Sequence, residues 1–279
     1  MFHVQKMEIS DFPFAVQVAN TMNWNMALDD FKFMTNLEPE GCFVLFQNLE
    51  RLGIVTSINY GKVGWLGNLV VREEFRREGV GRILANYAIS YLKNKGVETI
   101  GLYTYSHLIS FYENLGFKRD IDFVVLKRKA TSSSTQAMLK EPKKRDVSDL
   151  IDFDEQCFGA NRQKLLQAIL LSHRNLCYIS TANSKIIGYV TAKLYSKTAE
   201  VGPLICRLNH EKEAVLLLES ILARLNGVEV FIYISKKETE LLDVLYSVGF
   251  REDFHVVRMF LGSAIANNCI YAAESLERG

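Results

Sequence analysis

The residues Arg76-Arg77-Glu78-Gly79-Val80-Gly81 have the types and spacing of an anion-binding turn. They follow the apolar run Leu69-Val70-Val71 and open a stretch whose apolar residues recur every three to four positions, which predicts a helix over 81–95. The glycines let the backbone approach a ligand closely. The free N–H groups and positive dipole end of a helix start suit a pyrophosphate, and Arg77 and Arg82 can add charge-assisted donors. The turn is not a Walker loop, because no Gly-Lys-Ser/Thr follows, and it lacks the third glycine of a Rossmann fingerprint. Taken alone, it fits a glycine-rich helix entry without a ligand equally well.

Something must position this turn, and the periodicity on either side predicts what. Helices are expected over 11–20 and 29–36, and strands over 41–47, 52–60 and 63–71. The helix over 81–95 presents Ile83, Leu84, Tyr87, Ala88, Tyr91 and Leu92 on one face and stops at Gly96. A strand over 99–104, a short helix over 107–115 stopped by Gly116, and a strand over 123–126 complete the first half. This order predicts an α/β (α+β) domain: a twisted, mixed, mostly antiparallel sheet with helices on both faces. Gly64 and Gly67 inside one strand fit a bulge or a close backbone approach.

About 30 residues beyond the turn stands Phe111-Tyr112-Glu113-Asn114-Leu115-Gly116-Phe117. Together the two segments resemble the GNAT superfamily of N-acetyltransferases. Its acyl-CoA loop has the form Q/R-x-x-G-x-G/A, matched by Arg76, Gly79 and Gly81, and its later motif has the form F/L-Y-E-x-L-G-F. Glu40-Gly41-Cys42-Phe43 fits as well, and the resemblance covers most of residues 4–126. It implies direct transfer of an acetyl group from acetyl-CoA to a primary amine. Leu69, Val70, Val71 and the segment Arg76–Gly81 with Arg82 would bind the donor, backbone N–H groups near Val70-Val71 would stabilise the carbonyl oxygen, and Tyr112 would protonate the leaving thiolate. The chain departs from the pattern at Tyr105, where the family usually carries Asn, and at Arg77, where Gly is frequent. No general base stands out: Glu73, His107, Asp29 and Asp30 are candidates, each also readable as a surface group. A non-catalytic acyl-CoA binder or sensor is the rival reading.

The second half repeats the first. Leu66–Arg72 aligns with Val201–Arg207, and Phe111–Phe117 with Val244–Phe250, about 135 residues on in each case. The repeat resembles the tandem-GNAT subgroup, whose C-terminal domain is a diverged copy. Trp24-Asn25, which the subgroup likeness makes acceptor-lining candidates, and Ile270-Tyr271-Ala272 also resemble that subgroup. The chemistry is expected to be lost in this copy. Glu211, Ala214 and Leu216 replace Arg76, Gly79 and Gly81, Leu245 replaces Tyr112, and an acidic group stands where an anion would sit. Expected boundaries are a GNAT domain over 1–128, a polar linker over 129–137, a diverged GNAT-like domain over 138–262 and a tail over 263–279.

Lys+Arg number 33 against Asp+Glu 32, so neither nucleic acid nor a membrane surface is an expected partner. The basic run over 140–145 is short and mixed in sign, and reads as solvated linker. The five cysteines are dispersed and form no CxxC pair, so no disulfide framework and no metal site are expected. With 48% apolar and 23% charged residues and no long apolar stretch, the chain reads as a cytoplasmic globular protein, a monomer or homodimer. Its expected partner is a small-molecule or peptide amine acceptor.

Overall fold

A computed structural model of the chain describes residues 2–129, 139–265 and 268–279. The first half runs β1 (Phe2–Lys6), α1 (Phe12–Asn20), α2 (Leu28–Leu37), β2 (Cys42–Gln47), β3 (Glu50–Asn59), β4 (Val63–Val71), α3 (Val80–Asn94), β5 (Thr99–Thr104), α4 (Ile109–Glu113) and β6 (Lys118–Arg128). The second half repeats the order as α5 (Asp146–Phe158), α6 (Gln163–Leu170), β7 (Leu176–Ala182), β8 (Lys185–Leu194), β9 (Thr198–Arg207), α7 (Glu211–Leu222), β10 (Glu229–Ser235), α8 (Thr239–Ser247) and β11 (Arg251–Leu261), followed by β12 (Cys269–Ala273). Of the linker expected over 129–137, all but Lys129 lies outside the described residues.

The strands form one 12-stranded mixed sheet in the order β1-β2-β3-β4-β5-β11-β6-β10-β12-β9-β8-β7. Each half lends its last long strand to the other. β11 pairs antiparallel with β5 through Val257↔Thr104 to Leu261↔Ile100, and β6 pairs antiparallel with β10 through Val230↔Arg128 to Ser235↔Phe123. Within the expected tail, β12 lies inside the sheet between β10 and β9. β1, which the sequence did not announce, pairs antiparallel with β2. Its five residues are half-buried or exposed, too weak an alternation to read.

Among the described residues parallel pairing occurs at β4–β5 and β9–β10, and both pairs diverge after three or four residue pairs. Helix α3 packs its buried face, Val80, Leu84, Ala85, Ala88, Ile89 and Leu92, against the sheet. α1 contacts β3 and β4 as well as α2, and its buried Ala15, Val18 and Ala19 share one apolar cluster with Phe31 and Met34 of α2 and Val70 of β4. That cluster continues without a break into Phe153, Phe158, Leu165 and Leu166 of the second half. The two halves therefore share a core as well as a sheet.

Inside this shared core Arg162 is fully buried. Its Nε and Nη2 donate to the Asp154 carboxylate at 3.0 and 2.6 Å, and its Nη1 donates to the Gly279 carbonyl at 2.8 Å. The Tyr189 hydroxyl donates to the same carboxylate. Removing one partner of such a pair strands a charge in the core. Asp154→Ala is therefore expected to cost about 3–5 kcal/mol, read as a lowered urea midpoint. A midpoint unchanged in that variant would make the pair dispensable.

Candidate active site

β4 and β5 pair only at Val63↔Thr99, Gly64↔Ile100 and Trp65↔Gly101. The Trp65 ring covers Gly101, leaving no room for a side chain there, and it is wholly buried. Beyond this point the strands splay. On its other side β4 stays paired to β3, with a bulge that leaves Asn68 and Leu69 out of register and Asn68 at φ +48°. The Asn68 side-chain amide holds the bulge by donating to Thr56 Oγ1 at 3.2 Å. On the splayed side, no strand among the described residues pairs with Leu66–Val71. Backbone N–H and C=O groups need partners, so this edge is a template for an extended ligand.

The gap opens toward the start of α3. Gly79 caps that helix at φ +86° and Arg77 precedes it at φ +68°, so the turn is built from left-handed residues. The first backbone bond into the helix runs from the Ile83 N–H to the Gly79 carbonyl at 3.0 Å. The N–H groups of Val80, Gly81 and Arg82 thus precede any intrahelical acceptor and point out of the helix start. Arg76, Arg77, Glu78, Gly79 and Arg82 are exposed around it. Arg76 is already engaged: its Nε donates to the Val71 carbonyl at 3.0 Å and its Nη2 lies 3.7 Å from Met22 Sδ. Its side chain ties the loop to the end of β4, while Arg77 and Arg82 are exposed cations at the helix start. A side chain at Gly81 would meet Phe111 and Val71 at 3.7 Å, so β4, α3 and α4 converge there.

Tyr112 is 6% exposed on α4, with its ring centroid 4.9 Å from that of Phe111 and 5.7 Å from that of Phe117. Burial pushes its phenol above the ordinary range, so it stays protonated. On the opposite face the segment between α1 and α2 straps the mouth of the gap. Met22 touches Arg76 on the β4 side, and Trp24 Nε1 donates to the Tyr105 hydroxyl at 3.1 Å on the β5 side. Asn25 is exposed at φ +54° in that strap. Tyr105 also stacks on His107 at 5.7 Å and lies 5.5 Å from Phe254 of β11. The side chain that departs from the family pattern thus joins the strap to the second half.

The candidate bases are less favourably placed. Glu73, Asp29 and His107 are exposed, and an Asp30 oxygen caps α2 by accepting the Ala27 N–H at 2.7 Å. In the second half the equivalent gap is closed: β12 pairs with Leu204–Arg207 of β9 and with Tyr233 and Ile234 of β10. Glu211 and Glu213 sit in the first turn of α7, where the first half has its glycine loop. Sequence reasoning missed this plug, although Cys269-Ile270-Tyr271-Ala272-Ala273 is an apolar run of strand length. Among the described residues no group of three or more His, Cys, Asp or Glu is arranged to hold a metal, and no helix is long and apolar enough to cross a membrane.

A model of the acetyltransferase (GNAT) family matches residues 5–117, and a model of an acetyltransferase (GNAT) domain matches residues 150–272. The chain belongs to the GNAT superfamily of N-acetyltransferases and carries two such domains in tandem. It is 24% identical over 254 residues to the uncharacterized N-acetyltransferase YitH of Bacillus subtilis, covering 87% of each chain. It is 25% identical over 272 residues to the holothin acyltransferase of a Pseudoalteromonas species, covering 92% of this chain and 87% of that one. A Pyrococcus horikoshii crystal structure superposes with a TM-score of 0.81 at 19% identity, covering 100% of this chain and 96% of the other. A tandem GNAT protein from the clavulanic acid biosynthesis pathway superposes at 0.65 and 12% identity, covering 95% and 100%.

Proposed function

We propose that the first half binds acetyl-CoA and transfers its acetyl group directly to a primary amine of a small molecule or peptide. The observation that carries this reading is the unpaired β4 edge at Leu69–Val71, lying beside the open start of α3. The donor's amide-bearing arm would take the place of a strand along that edge. Its pyrophosphate would meet the N–H groups of Val80, Gly81 and Arg82, with Arg77 and Arg82 adding charge. The amine nitrogen attacks the thioester carbonyl carbon, an N–H near Val70 steadies the developing oxyanion, the carbon–sulfur bond breaks, and Tyr112 protonates the departing sulfur. The holothin acyltransferase matches this chain along both halves, whereas the N-alpha-acetyltransferase 30 of Dictyostelium discoideum matches over 32% of it, so small amines head the acceptor panel. Thiol release from acetyl-CoA in the presence of that panel tests the reading, and no amine-dependent release from any acceptor would overturn it.

The second half takes no donor in this reading and instead walls the acceptor cleft. Its gap holds β12, and its helix start carries glutamates. Titration calorimetry is expected to return one CoA per chain. Binding at 100 times the dissociation constant would stabilise the fold by about 2.7 kcal/mol. Two CoA per chain would refute the assignment of a closed second site.

A further inference from the structure

The plugged gap of the second half delivers residues 274–279 to the open gap of the first. Leaving β12, the chain passes Gly202 of β9, where Ala273 and Glu274 backbone atoms fill the space a side chain would need. It then crosses to Gly67, the glycine of β4 that aligns with Gly202. A Cβ at Gly67 would lie 2.6 Å from Glu277 Cβ and its carbonyl oxygen and 2.7 Å from its Cα, so the two backbones touch. The contact is clamped on both sides: Trp65 Nε1 donates to the Leu276 carbonyl at 3.2 Å, and the Tyr60 hydroxyl donates to the Arg278 carbonyl at 2.9 Å. Glu277 is thereby fixed against β4 next to the Asn68 bulge, with Leu69 and Val70 just beyond.

We propose that Glu277, carried by the second half, is the base that takes a proton from the acceptor's ammonium group in the first half's site. This rests on the acetyl-CoA reading above. β4 and β5 themselves bring no carboxylate or imidazole to the gap, yet a primary amine that is protonated at neutral pH cannot attack until it loses a proton. The acids of this region divide the work. Glu274 is completely buried; despite that burial, Arg278 and Lys193 hold it down to about 2, and it serves the ion pairs with both. Glu277 keeps 19% of its side chain exposed. Burial raises its pKa, the paired Arg278 opposes the rise, Glu200 of β9 adds to it, Lys193 of β8 opposes it and Glu274 adds to it. The Tyr233 hydroxyl of β10 donates to Glu200 at 2.8 Å, and burial raises the Asp30 carboxyl of α2 while the Arg278 charge opposes the rise. The net effect lifts Glu277 above the ordinary carboxylate range, toward the pH at which a base is useful.

The protons balance. Glu277 removes one from the ammonium and later releases it to solvent. The freed nitrogen forms the carbon–nitrogen bond, the carbon–sulfur bond breaks, Tyr112 protonates the thiolate, and the second amine proton restores Tyr112. Products are the acetamide, CoA thiol and one proton.

Glu277→Gln is expected to lower kcat/KM about 100-fold or more with ethanolamine or spermidine, with acetyl-CoA affinity unchanged. Aniline, already neutral at assay pH, should lose little. Wild-type kcat/KM with ethanolamine should rise with pH as Glu277 ionises and level off well below the amine's own ionisation; in the variant that step should be gone, leaving only the rise that follows the free amine. Unchanged rates with ethanolamine and spermidine, or equal losses with aniline, would overturn the assignment. If the substitution disturbs folding, seen as lost acetyl-CoA binding, the wild type decides: an ethanolamine limb that levels off well below the amine's own ionisation, and is absent for aniline, supports the base, and a limb that only follows the amine's own ionisation excludes it. A wild type that neither binds acetyl-CoA nor releases thiol removes the underlying reading and this one together. A wild type that transfers while the glutamine variant matches it removes Glu277 alone.

Discussion

Gly81→Glu is expected to abolish the stabilisation of the chain by acetyl-CoA. Gly81 lies one residue inside α3, where the outward N–H groups and the helix dipole create positive potential. A carboxylate there would oppose the pyrophosphate by charge and occupy its space. Gly81→Ala separates the two effects from mere loss of glycine. Its Cβ would meet Phe111 and Val71 at 3.7 Å, an ordinary van der Waals distance, so binding should survive. Gly79→Ala differs again. Nothing lies within 4 Å of a Cβ there, but φ is +86°, and the substitution should cost about 1 kcal/mol of stability through backbone strain. Thermal shift with and without acetyl-CoA, run on the three variants, checks the set. Equal affinity in Gly81→Glu would remove the loop from the donor site.

The loop, the helix behind it and the Phe111–Phe117 segment were legible because each is local. Glycines, a β run and apolar periodicity within about 50 residues define the gap's rim, and they do so whatever lies beyond. Strand partners were not legible. β6 and β11 carry apolar residues suited to a buried sheet, and that pattern is the same whether each strand stays in its own half or crosses to the other. The motif position of Arg76 marks it as donor-binding, while the turn it closes, with its guanidinium donating to the Val71 carbonyl and reaching Met22, has no counterpart in the pattern. Trp24 was legible as a cleft candidate, whereas its bond to Tyr105 joins positions 81 residues apart and left no trace in the sequence.

The replacements Glu211, Ala214, Leu216 and Leu245 in the second half were legible, and the strand that closes its gap was not. A splayed pair of strands leaves backbone groups without partners. A ligand can satisfy them in the first half; in the second half β12 satisfies them. The second gap is filled by the chain itself, and in the proposed reading the first is filled by the donor. The peptide filling carries residues 274–279 against Trp65 and Gly67. A site with that history should be sensitive to changes in either half, so a truncation near residue 130 removes β11 from beside β5 as well as the cleft wall.

Tyr112→Phe is the substitution with the largest expected effect on turnover, about 10²–10⁴-fold, the usual span for a positioned acid. It deletes one oxygen and leaves the ring, which packs edge-on against Phe111 and Phe117. The fold and acetyl-CoA affinity should therefore be retained, and the loss should fall on kcat. The pH dependence follows from the direction of the shift. Burial raises the phenol's pKa, so Tyr112 carries its proton throughout the neutral range and loses it only in strong alkali. Activity that depends on that proton should hold below the raised pKa and fall above it, and the phenylalanine variant should lack that alkaline limb. Tyr246 supplies the control. It is one position off the aligned site, is 36% exposed and donates to Glu252 Oε1 at 2.7 Å, so Tyr246→Phe should leave turnover unchanged. Stopped-assay rates with the best amine of the panel, taken beside acetyl-CoA affinities for both variants, decide the matter. Unchanged turnover in Tyr112→Phe would take the tyrosine out of the mechanism, and a loss of affinity matching the loss of rate would make its role one of packing.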